Sequence, residues 1–217
     1  MAAGTGSPRE RYRSQVRAEI KELAWKQIAV AGASGLSLNA IAKELGMSGP
    51  ALYRYYAGRD ELITELIRDA YRGLADAMRT AVAEPESGIA DLARALRRWA
   101  LADPQRYFLV YGTPVPGYHA PGDITGIARE IMSALLDVCA DAQAVAGAPD
   151  AFDAHLVDHR QWAGDHQATP AALHRALAFW TRLHGLISLE LAGHFAGMGF
   201  DPELFFTTEV ERLVAGR

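Results

Sequence analysis

Apolar side chains return every three or four positions along nearly the whole chain, a period that admits little besides α-helix. Leu62, Leu66, Ala70, Leu74, Ala77 and Ala81 form one such stripe from Asp60 to near Pro85. Val16, Ile20, Leu23, Ala24 and Ile28 form another, so the spacing predicts an amphipathic helix over 14–33. Further helices are expected at 87–102 (Ile89, Leu92, Leu96, Trp99), 104–111, 124–144 (Ile127, Ile131, Leu135, Val138), 171–197 and 202–214. No stretch alternates with the two-residue period of a strand. The Pro- and Gly-containing segment 112–123 reads as a loop, and 145–170 as loop-rich with one short helix. The expected fold class is all-α.

Half of the 217 residues are hydrophobic, enough for a real core in one or two domains. The single cysteine, Cys139, forms no internal disulfide, and no segment reads as a signal peptide or a bilayer span. The chain is therefore expected to be cytoplasmic, without membrane contact. Net charge is −4, unevenly spread: residues 1–60 hold nine basic and five acidic side chains, and residues 61–217 hold thirteen and twenty-one. A polyanion-binding head on an acidic body fits this, although uneven charge is also common without it.

The densest local signal is ELGMSGPALYRYY at 44–56. Ser37 stands where an N-cap belongs, with Ile41, Ala42 and Leu45 inward on two helical turns. Gly46 follows, suited to the left-handed conformation that ends a helix. Ser48 can then cap a new helix with Gly49 and Pro50 in its first turn. Two short helices around a glycine turn suit a helix-turn-helix, whose second helix enters the DNA major groove. In that arrangement Gly49 and Pro50 permit close approach, Ala51 can touch a thymine methyl, Tyr53 and Tyr55 reach phosphates, and Arg54 reaches phosphate or guanine. Leu52 and Tyr56 belong to the core. The same pattern also occurs in helical proteins that bind no DNA.

The segment LSLNAIAKELGMSGPALYRYYAGRDEL at 36–62 resembles the DNA-binding head of the tetracycline-repressor (TetR) family. DPQRYFLVYGTPVPGY at 103–118 and FWTRLHGLISLELAGHF at 179–195 resemble a subgroup with a C-terminal Trp…His-Gly signature, here Trp180, His184 and Gly185. The resemblance implies a homodimeric, ligand-responsive transcriptional regulator, usually a repressor, on a near-palindromic DNA operator. It assigns DNA contacts to Ser37, Ser48, Gly49, Pro50, Tyr53, Arg54 and Tyr55, with a backbone contact at Arg59. It also divides the chain into a basic flexible arm (1–13, with Arg9, Arg11 and Arg13), a helix-turn-helix domain (14–59) and a helical effector-binding and dimerisation domain (60–217).

For the body, the resemblance places a four-helix dimer seam on 171–197 and 202–214, where Leu177, Trp180, Gly185, Ile187, Ser188, Leu191 and Ala192 are candidates. Those side chains equally suit the domain's own core. A small-molecule effector is expected among Trp99, Tyr107, Phe108, Tyr111, Tyr118, Met132, Leu136 and Phe179, with Arg106, His119 and His184 as polar groups; singly, each aromatic also fits a core. His155 and His159, four apart, offer a metal alternative within an Asp/His-rich stretch that equally suits a solvated surface. No cofactor is expected. An enzyme finds no support, since neither a phosphate loop nor a nucleophile elbow is present and Cys139 reads as an inert buried thiol. Constitutive DNA binding by a dimer without an effector is the other reading.

Overall fold

The computed structural model describes residues 7–113, 118, 121–141 and 150–216, and those residues are helical with connecting loops. Ten α-helices occur among them: α1 (Pro8–Ala31), α2 (Leu38–Glu44), α3 (Gly49–Leu52), α4 (Arg59–Ala81), α5 (Ile89–Ala102), α6 (Pro104–Tyr111), α7 (Gly122–Asp141), α8 (Ala151–Asp158), α9 (Pro170–Leu191) and α10 (Pro202–Val214).

Two apolar cores organise them. Val16, Ile20 and Ile28 of α1, Ile41 of α2, Leu52, Tyr56 and the first half of α4 (Leu62, Ile63, Leu66, Ile67) form the core of the head. The second half of α4 (Ala70, Leu74, Met78) packs with α5, α6, α7, α9 and α10 into the body core. One unbroken helix thus contributes to both cores. Ile124 of α7 and the half-buried Leu109 of α6 also pack on the head, so the head's core runs past residue 59, where the sequence reading ends it.

Charged side chains flank this shared helix. Arg17 pairs with Glu65 at 3.0 Å, Lys21 with Asp69 at 2.6 Å, Arg68 with Asp123 at 2.7 Å and Arg72 with Glu130 at 2.6 Å. Each is partly solvated and contributes about 0–1 kcal/mol. In the body, Arg97 grips Glu190 with two nitrogens at 3.2 and 2.7 Å, clamping α5 to α9. Both side chains are largely buried, so the pair fixes how the two helices meet.

Two boundaries differ most from the sequence reading. Helix α1 starts at Pro8, with Ser7 and Glu10 in a reciprocal capping box, so Arg9, Arg11 and Arg13 lie on its exposed first turns and not in a flexible arm. Helix α9 ends at Leu191, six residues short of the expected end, where Gly193, Gly197 and Gly199 adopt positive φ. None of the helices among the described residues is long and apolar enough to cross a membrane.

Candidate functional site

The head's outward face is built from the core upward. Ser37 caps α2 by accepting the Ala40 N–H at 3.3 Å. Gly46 turns the chain at φ 66°, and the Met47 N–H returns to the Ala42 carbonyl at 2.8 Å, closing the corner. A side chain at Gly46 would meet no neighbouring atom, so only backbone strain opposes one. Gly46→Ala is therefore expected to cost about 1–2 kcal/mol, read from urea unfolding.

Leu52 and Tyr56 are fully buried and anchor α3 and the turn that follows it. Arg17 lies 4.4 Å above the Tyr56 ring and donates to the Tyr55 carbonyl at 3.0 Å, tying that turn to α1. Burial pushes the Tyr56 hydroxyl up to about 12. With the inward side chains held this way, Ser48, Pro50, Tyr53 and Arg54 stand exposed together, while Gly49, Ala51 and Tyr55 are half-buried. Two details depart from expectation. Ser48 makes no side-chain capping bond. Arg59 donates to the Ala33 carbonyl at 2.7 Å and pairs with Asp60 at 3.5 Å, so it holds the turn after α1 near α4 and reaches a phosphate only by sharing those partners.

In the body, Tyr107 and Tyr111 of α6, Trp99 of α5 and Trp180 and His184 of α9 form one ring cluster. Tyr111 meets His184 at 4.2 Å between centroids, Trp180 meets His184 at 4.3 Å, and Tyr107 meets Tyr111 at 5.4 Å. The Tyr107 hydroxyl lies 3.0 Å from His184 Nδ1 and 2.8 Å from Ser188 Oγ, and donates to the His184 carbonyl at 3.2 Å. Burial depresses His184 to about 4 and raises Tyr111 well above the ordinary tyrosine value.

The His184 shift gives a testable pH dependence. The unfolded ring, near 6.5, takes up a proton before the folded one does, so its neutrality stabilises the fold above about pH 6.5 and that contribution drains away toward pH 4. Wild type is expected to lose about 3 kcal/mol more than His184→Gln across that window, measured by urea unfolding at stepped pH.

The structure redistributes the other candidates. Trp180 and Ser188 take part in the ring cluster and are half-buried, whereas Ile187 is fully buried in its own chain's core and so is withdrawn from an outer seam. Leu177 and Leu191 pack partly on that core, and only Gly185 and Ala192 of the seam candidates are exposed. Arg106 faces away from the rings: it pairs with Asp103 and lies 5.8 Å above Trp25 of α1. Tyr118 packs on the head core, its hydroxyl 3.1 Å from Thr64 Oγ1. Leu136 and Phe179 are fully buried, Phe108 and Met132 lie half-buried on the body core, and His119 is outside the described residues.

His155 and His159 stack at 3.8 Å with planes 9° apart. A metal must lie in the plane of each ligating ring, so this pair does not converge on one ion as placed. The nearby Asp153 instead meets His174 at 2.9 Å. Burial pushes the Cys139 thiol up to about 12, leaving no thiolate to act as a nucleophile near neutral pH.

An exposed apolar surface went unread in the sequence. Leu189 on α9, Met198 and Phe200 in the glycine-rich connection, and Leu204 and Phe205 on α10 are all solvent-exposed. Phe200 and Phe205 are neighbours at 5.8 Å. Their signal was the outward phase of α10 and a loop rich in apolar residues.

Residues 20–66 match the family model for bacterial regulatory proteins of the tetR family, and residues 89–213 match that of the tetracyclin repressor-like C-terminal domain. The chain belongs to the tetR family of bacterial transcriptional regulators. It is 40% identical over 220 residues to the HTH-type transcriptional regulator Rv1816 of Mycobacterium tuberculosis (strain ATCC 25618 / H37Rv), covering 94% of this chain and 92% of that one. Among solved structures, that of the regulatory protein SCO4313 is 67% identical, with a TM-score of 0.88 over 95% of this chain and 98% of the other. A protein of unknown function from Rhodococcus sp. RHA1 is 25% identical, with a TM-score of 0.68 over 93% and 94%. As a tetR-family member the chain is a helix-turn-helix DNA-binding regulator and not an enzyme.

Proposed function

We propose that this regulator is a homodimeric repressor that holds a near-palindromic operator through its two heads and releases it when a small molecule enters the body. DNA contact is assigned to Ser37, Ser48, Gly49, Pro50, Ala51, Tyr53, Arg54 and Tyr55, with Arg59 in a supporting role. The observation that carries effector control is the double membership of α6. Its Tyr107 and Tyr111 sit in the ring cluster, while Leu109 packs on the head core and Arg106 covers Trp25. A ligand that parts the rings must move α6, and α6 cannot move without disturbing the head.

The exposed apolar surface from Leu189 to Phe205 supports dimerisation, because a patch of this kind on a soluble chain ordinarily faces a partner. Operator binding places the dimer in the cytoplasm, with DNA and effector as its partners and no cofactor. An effector shifts operator affinity only by its preference for one arrangement of the heads, typically about 1–3 kcal/mol. The test is operator affinity by gel shift with and without each compound that calorimetry shows to bind. A drop for at least one supports the reading. Unchanged affinity for all of them leaves a constitutive DNA-binding dimer.

A further inference from the structure

The ring cluster holds an unusual concentration of polar atoms without partners. Among the described residues, four buried side-chain polar atoms lack a hydrogen bond, and three of them, Trp99 Nε1, Tyr111 Oη and His184 Nε2, belong to this cluster. Buried polar atoms are normally satisfied, and each that is not costs free energy. Such a cost, concentrated on side chains from three helices, calls for a binding partner.

The character of that partner follows from what surrounds the atoms. An indole N–H only donates, and a tyrosine hydroxyl can donate, so the partner must offer an acceptor. A neutral imidazole carries one N–H and one lone-pair nitrogen. The Tyr107 proton goes to the His184 carbonyl, so Nδ1–H donates to Tyr107 and Nε2 is left as a lone pair that takes no part in holding an acceptor. Among the described residues no fully buried side chain is charged, and burial keeps His184 neutral near pH 7, so a carboxylate would enter without a counter-charge. The atoms sit among the rings of Trp99, Tyr107, Tyr111, Trp180 and His184, whose edges and faces accept a flat ring. There is also room beside one donor: a methyl group built on Gly73 of α4 would stand 3.5 Å from Trp99 Nε1 and meet nothing else within 4 Å.

We propose that the ring cluster recognises an uncharged, flat, unsaturated ligand bearing a carbonyl-type oxygen, which accepts from the unpartnered Tyr111 hydroxyl and Trp99 Nε1–H. This rests on the effector reading above and names the class of effector.

The test is calorimetric titration of the full-length chain at pH 7.5 with three compounds of one shape: 2-acetylnaphthalene, 2-naphthoate and 2-methylnaphthalene. The ketone is expected to bind at least about tenfold more tightly than the acid or the hydrocarbon, one hydrogen bond's worth of preference. Tyr111→Phe should lower ketone affinity about tenfold while leaving the ligand-free Tm unchanged or raised, since it deletes a group that has no partner. Gly73→Ala should weaken the ketone by occupying the space beside Trp99 and raise the ligand-free Tm, as a mid-helix alanine does. The proposal is overturned if the ketone does not bind, if the naphthoate binds as tightly, or if Tyr111→Phe lowers the ligand-free Tm and spares ketone affinity. Operator gel shifts separate the two ideas. A ketone that binds here and leaves DNA affinity unchanged upholds the site and removes the gating. Release of DNA by compounds that ignore Tyr111→Phe and Gly73→Ala upholds the gating and removes the site.

Discussion

Replacing Leu204 and Phe205 together by glutamate is expected to yield a folded monomer that holds operator DNA about 10²–10⁴-fold more weakly than the wild-type chain. Both side chains are exposed on α10, Phe205 lies 5.8 Å from Phe200, and Leu189 and Met198 are exposed apolar side chains on α9 and the connection to α10. Neither belongs to the buried body core; the substitutions give up the surface ring contacts of Phe205 with Phe195 and Phe200 but leave the core intact, and circular dichroism should be unchanged. Across a dimer seam, however, four carboxylates would face one another with no basic partner, and the seam opens. Once separate, each head binds its half-site alone and loses the high effective concentration that its twin supplied. Light scattering after gel filtration reads the mass, and a gel shift reads the affinity. A persistent dimer, or a monomer with wild-type affinity, contradicts the assignment of this surface.

Arg54→Ala should weaken operator binding by about 2–6 kcal/mol, because a base or phosphate contact worth about 1–3 kcal/mol is lost once in each head. Arg54 is exposed two residues after the end of α3. If it reads a guanine, the loss is confined to sequences carrying that guanine. If it grips phosphate, all duplexes weaken alike and the salt dependence becomes shallower. Stability should not change. Arg59→Ala differs in kind: it removes the bond to the Ala33 carbonyl, so its effect appears in thermal unfolding as well as in DNA affinity. Equal losses of affinity from the two variants, with no change in stability for either, would contradict this division of roles.

The head was largely legible because its signals are local. Ser37, Gly46 and the spacing of Ile41, Leu52 and Tyr56 act within a few residues, and each does structurally what its chemistry suggests. The start of α1 was missed, with 1–13 read as an arm, although the Ser-Pro-Arg-Glu run at 7–10 carries its signal, a capping box with proline in the first turn. The body was harder for a physical reason. Helical period says which side chains turn inward, but not which of two inward surfaces, core or partner, receives them. Ile187 has seam-like spacing yet is fully buried in its own chain, and Trp180 and Ser188 are engaged with its rings, while Leu204 and Phe205 face out. Arg97 and Glu190 stand 93 positions apart, and nothing in either neighbourhood announces their pairing. Likewise Arg106, polar and close to the aromatics in sequence, lies on the opposite side of α6, against Trp25.

The central claim is that the face formed by Ser48, Pro50, Tyr53 and Arg54 enters the major groove twice on one duplex. It is tested most directly by selecting random duplexes with the purified chain and mapping the recovered site by guanine N7 methylation interference, which reports on the major groove. The account predicts an inverted repeat with half-site centres about 34 Å apart, or a multiple of that, and interference inside both halves that Arg54→Ala or Tyr53→Ala alters. Recovery of no common motif, or of a site without symmetry whose guanines tolerate methylation, would contradict it.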